Sequence, residues 1–131
     1  MKNRAIEIHD SVLDGLSLQD RNAVLHFSSV YIHESNGTPG VDAGSGLVQE
    51  ATLKISDAVV EGTFSEWPAD LHSGHFATSG KVFDNLIPIP LDFEGKTELR
   101  LQSWNEIISI AGTGAKLELI GEAKYVEEFK P

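Results

Sequence analysis

The chain has 131 residues, of which 40% are hydrophobic and 23% charged, and its 20 acidic against 10 basic side chains give a formal net charge of -10. That is ordinary globular usage at a length that fits one domain, residues 1–131, able to bury a core without metal or disulfide. The negative field disfavours nucleic acid and anionic membranes, and the lack of cysteine excludes thiol chemistry and thiolate metal sites. No apolar run approaches the roughly 20 residues that cross a bilayer. The opening MKNRAIEIHD lacks the apolar core of a secretory signal, so a reducing cytoplasm is the expected compartment.

Residues 4–9, RAIEIH, alternate so that Ile6 and Ile8 share a face, which predicts a strand. Val12, Leu13, Leu16 and Leu18 then surround Asp14-Gly15, predicting a turn at that pair and a short strand to Leu18. A helix capped by Asp10 or Ser11 competes with this, and Gly15 counts against it. Gln19-Asp20-Arg21-Asn22 predicts a turn into the stretch that organises the rest of the chain: AVLHFSSVYIH, the loop ESNGTPGVDAGSG and LVQEATLKI. The β-branched and aromatic content of the two runs predicts long paired strands, and the glycines and proline between them predict an exposed, mobile loop over 34–46. Leu25 and Phe27 have one parity and Val30 and Ile32 the other, so a bulge at Ser28-Ser29 is needed to place all four on one face.

Farther on, Asp57-Ala58 predicts a turn or bend before VVEGTF, EWPADLHSGH a second long loop, and residues 76–83 a strand interrupted at Gly80. In LIPIPLDF, Pro88 and Pro90 cannot donate ladder hydrogen bonds, which predicts an edge strand or irregular segment that is either covered or used for self-association as a homo-oligomer. Glu94-Gly95-Lys96, Asn105-Glu106 and Gly112-Thr113-Gly114 read as turns around TELRLQSW, IISIA and AKLELIG, where Leu99, Leu101, Ile108, Ile110, Leu117 and Leu119 alternate; AKYVEEF adds a final strand. The whole predicts an all-β fold, an antiparallel β-sandwich or partly open barrel with a C-terminal meander.

Chemistry-bearing residues are sparse. His72-Ser73-Gly74-His75 would need a further ligand such as Glu66 or Asp70 to hold zinc, and solvated loop histidines are the plainer reading. His33-Glu34 with Asp42 would bracket a cation across the glycine-rich loop, but the acidic spacing of an EF-hand is missing. His9-Asp10-Ser11 has the residue types of a hydrolytic triad, yet neighbours along a strand point to opposite faces, and Asp10 and Ser11 are better placed to bond backbone amides. Gly44-Ser45-Gly46 and Gly112-Thr113-Gly114 lack the phosphate-loop pattern, and Glu122, Glu127 and Glu128 read as a solvated end. Neither a cofactor nor a catalytic residue nor a metal site is indicated.

The pattern His9-Asp10-Ser11-x-Leu13-x-x-Leu16-x-Leu18 followed by Val24-x-x-Phe27 resembles the opening of several small bacterial all-β proteins of unknown function, some of them similar to predicted toxin-immunity proteins. The resemblance implies a bacterial cytoplasmic β-domain that binds rather than catalyses, and it carries over no functional residue.

Residues 31–80 hold seven acids, Glu34, Asp42, Glu50, Asp57, Glu61, Glu66 and Asp70, against Lys54 alone. An exposed Trp67 amid that charge would anchor a partner, whereas Trp104 is expected to close an end of the core. The leading expectation is therefore a non-enzymatic domain that binds a basic protein partner through Glu61, Glu66, Trp67 and Asp70. A small-ligand or carbohydrate-binding β-sandwich using Trp67 is the alternative, and a metal-dependent hydrolase using His72 and His75 the second.

Overall fold

A computed structural model describes residues 2–129. In chain order its strands are β1 (Asn3–Gln19), β2 (Asn22–Ser35), β3 (Gly44–Ile55), β4 (Val59–Glu61), β5 (Ala69–Asp70), β6 (Ser73–Thr78), β7 (Lys81–Asp84), β8 (Leu86–Ile89), β9 (Asp92–Gln102) and β10 (Ile107–Phe129). All belong to one antiparallel sheet of order β5-β1-β2-β3-β10-β9-β6-β7, with β8 against β1 and β4 against β10. There is no helix among the described residues, and the sheet curls into a half-barrel.

The first three strands form a meander, in which β2 and β3 are the long pair expected for the central stretch. β1 and β2 meet at Asp20-Arg21, whose φ angles of 51° and 69° make the left-handed pair that matches strand twist. In β2 the register shifts between Phe27 and Val30, at the two serines, and Leu25, Phe27, Val30 and Ile32 are all buried. The bulge inferred from parity is therefore present.

Three expected turns are not turns. Asp14-Gly15 lies inside β1, which runs on with register shifts between Glu7 and Gly15. The irregularity falls where β1 changes its outer partner from β8, at Arg4–Glu7, to β5, at Val12 and Leu13. Glu94-Gly95-Lys96 lies inside β9 and Gly112-Thr113-Gly114 inside β10, so the C-terminal runs make one long hairpin rather than a three-stranded meander. The glycines bend it. β10 exchanges β4 for β3 there, and the corner at Ser56 wedges in, with Thr113 N donating to Ser56 O and Ser56 N to Gly114 O. A Cβ on Gly112 would stand 2.4 Å from Ile55 Cγ2, which leaves glycine as the residue that fits. The expected second loop also holds strand: β5 and the start of β6 fall within EWPADLHSGH.

Curling brings the β6–β7 side back to β1. Asn85, at φ 60°, sits at that seam, where its amide N donates to Gly74 O while its own carbonyl and side-chain oxygens accept from Ile8 N and His9 N. The concave face is lined by one apolar cluster that includes Ile6, Ile8, Leu13, Phe27, Phe76, Ile87, Leu101 and Ile110. β8 pairs only with β1 and so occupies a sheet edge, as Pro88 within it requires.

Candidate functional site

Two connections at one end of the half-barrel face each other. Residues 62–68 leave β4 at Gly62, whose φ of 86° and whose approach to Ile107 O exclude a side chain. Phe64 buries itself in the core beneath this segment. Opposite, Ser103 N donates to Glu106 O at 2.9 Å, closing the β9–β10 turn and lifting Trp104 to its tip. Ser65 joins the two connections: its amide and its hydroxyl both donate to Glu106 Oε1, at 2.9 and 2.7 Å. The backbone bond and then the hydroxyl bond hold the Glu106 carboxyl below the usual carboxylate range.

Between them lies a cleft of about 500 Å³ lined by Glu66, Asp70, His72, Trp104 and Glu106 among others, with no lysine or arginine in its wall. Trp104 is 81% exposed, and its ring lies 4.7 Å from that of His72 at an interplanar angle of 54°. Trp104 therefore does not close an end of the core. Trp104 lies two residues beyond the end of β9, in the turn, where strand alternation no longer sets which way a side chain faces. Glu106 was visible in the sequence only as a turn residue.

The four residues expected to bind a partner are not all together. Glu66 and Asp70 line the cleft. Trp67 is 40% exposed and packs its ring 5.6 Å from that of Phe64, outside the cleft wall. Glu61 pairs with Ser109 and lines a separate hollow of about 270 Å³ that includes His75, Glu98 and Arg100. His72 and His75 thus serve different surfaces.

No family model, curated protein or solved structure matches the chain.

The remaining candidates resolve into local structure. Ser11 is buried, its hydroxyl donating to Glu7 O and accepting from Tyr31 N, so it serves the backbone. His33 is buried with Gly40 N donating to its Nδ1 at 2.7 Å, Asp42 accepts from Thr38 N, and Glu34 pairs with Lys2 and Arg4, so these three do not converge on a cation. Among the described residues no group of three or more His, Asp or Glu side chains could hold one metal ion. Glu127 accepts from the Tyr31 hydroxyl and Glu128 from Ser45 Oγ. Burial, with Glu127 adding to it, pushes the Tyr31 phenol well above its usual range. Chemically, the cleft offers carboxylates around an exposed indole, a combination that attracts an ammonium or guanidinium by ion pairing and cation–π contact together.

Proposed function

We propose that the protein is a non-enzymatic binding domain that takes a basic segment of a protein partner into the cleft between residues 65–72 and the turn carrying Trp104. One observation carries this reading: the most exposed large aromatic side chain among the described residues stands in a wall that also carries three carboxylates and no lysine or arginine. Charge guides the encounter, and the indole supplies a desolvated contact once a cation is over its face. In this reading the anchor is Trp104, with Glu66 and Asp70 as the steering charges, while Trp67 and Glu61 lie outside the cleft wall.

A short peptide of alternating arginine and glycine serves as probe, followed by the intrinsic tryptophan fluorescence. Its binding should saturate and weaken as salt rises above about 0.15 M, where the screening length falls to roughly 8 Å. Glu66→Lys with Asp70→Lys should slow association, and Trp104→Ala should chiefly speed dissociation, with Trp67→Ala and Glu61→Lys changing less. Binding that survives both the double reversal and Trp104→Ala, or equal binding of an aspartate–glycine peptide, rejects the proposal. A neutral oligosaccharide that binds instead of the basic peptide would move the site to the carbohydrate alternative.

A further inference from the structure

A second concavity differs from the cleft in every chemical respect. It is a groove of about 520 Å³ walled by β8, β7, the start of β1 and the 36–43 connection. Its surface is mainly apolar, supplied by Pro39, Phe83, Leu86, Pro88, Ile89 and Pro90, and its rim carries three of the chain's ten basic residues, Lys2, Arg4 and Lys81. On a chain of net charge -10 this is a local reversal of sign.

The cations are only partly neutralised. Lys2 Nζ and Arg4 Nε lie 3.4 and 3.5 Å from the carboxylate oxygens of one residue, Glu34. Two cations therefore share one anion. Arg4 Nε is itself buried beside Glu34 without a hydrogen bond of normal geometry, while its side chain as a whole stays 30% exposed. Lys81 Nζ rests 4.8 Å from the centroid of Phe83, at the margin of the apolar surface. The wall is braced: Asn3 Nδ2 donates to Gly37 O, and Gly40 lies so close to Leu86 that a Cβ there would come within 3.3 Å of it.

We propose that this groove binds a free amphipathic carboxylate, with an apolar body of medium-chain acyl size against Phe83, Leu86 and Ile89 and its carboxylate at Arg4 and Lys81. The volume falls within the range of roughly 300–1,000 Å³ typical of small-molecule sites. Charge complementarity selects the anion. An added peptide strand fits less well, since β8 is only four residues long and Pro88 within it has no N–H to offer.

Decanoate below its aggregation concentration is the probe, titrated calorimetrically against decanol and decylammonium. One decanoate should bind per chain, decanol more weakly and decylammonium not measurably, although the net charge of -10 favours the cation. Lys81→Glu should weaken decanoate binding at least about tenfold, since it removes one charge-assisted contact and adds a like charge, and Leu86→Glu should abolish it. Lys116→Glu, outside the groove, should leave it unchanged, with circular dichroism confirming that each variant is folded. Equal affinity for decylammonium, indifference to Lys81→Glu or the absence of saturable binding overturns the proposal. So does a ligand-free dimer in sedimentation that Leu86→Glu dissociates, which would assign the groove to a second copy, or binding of a capped acidic peptide in place of decanoate.

Discussion

His26 shows how much one side chain can tie together in a sheet. It stands on β2 with Nδ1 3.2 Å from Asp14 Oδ2 on β1 and Nε2 2.6 Å from Glu50 Oε2 on β3, so a protonated ring donates to carboxylates on both neighbouring strands. The Glu50 hydrogen bond raises the imidazole above its ordinary value of 6.5 against a partial loss of hydration, and Asp14 adds to the effect. Since the folded value lies above the unfolded one, the stabilisation is fully present below about pH 6.5 and is lost as pH rises through the folded value. The trio is more than a third exposed, so after solvent screening His26→Gln should cost no more than about 1 kcal/mol. Thermal melts should show that difference at pH 5.5 and its disappearance by pH 9; a difference constant with pH would mean the ring acts by packing. Nothing in the order of residues marks this trio. Asp14, His26 and Glu50 meet through the register of three strands, two of which, β1 and β2, carry bulges, and a slip of one position sends a side chain to the opposite face.

Among the elements, the legible ones are those whose signal is local. The β2 bulge follows from the parity of four apolar residues, and the turn at Asp20-Arg21 follows from polar residues between two apolar runs. Gly95, Gly112 and Gly114 look like turns in the sequence because a glycine that reverses the chain and a glycine that lets a strand bend leave the same mark there. The distinction lies with Ile55 and Ser56, which press against Gly112 from a remote part of the chain. Gly15, also inside a strand, has nothing within 4 Å of where a Cβ would stand. Gly112→Ala should therefore destabilise by about 1–3 kcal/mol through overpacking. Gly15→Ala should be neutral or stabilise by about 0.4–1 kcal/mol through the unfolded chain. Urea titrations of the two variants decide it, and equal effects would show that the corner at Ser56 yields freely.

For the molecule as a whole, all-β class and antiparallel pairing were readable from alternation and breakers, but closure was not, because no local pattern says that β10 will pair with β3, β4 and β9 at once. Nor does composition reveal that a chain so acidic keeps three basic residues around one apolar groove while an acidic cleft forms elsewhere. The central place of β10 in the sheet bears on the order of events in folding. β1, β2 and β3 pair with their chain neighbours, yet Leu53 of β3 must wait for Leu117, nearly half the chain later, and until then the inner edge of β3 is open. Loop-closure entropy opposes that last pairing, so refolding should fall in the millisecond-to-second range of sheets dominated by distant contacts. Leu25→Ala should slow refolding, whereas Leu117→Ala should mainly speed unfolding, a contrast that stopped-flow chevrons would measure. During synthesis the same delay leaves a bare strand edge waiting for its last partner, and a chain stalled before residue 107 would offer that edge to any other extended segment nearby.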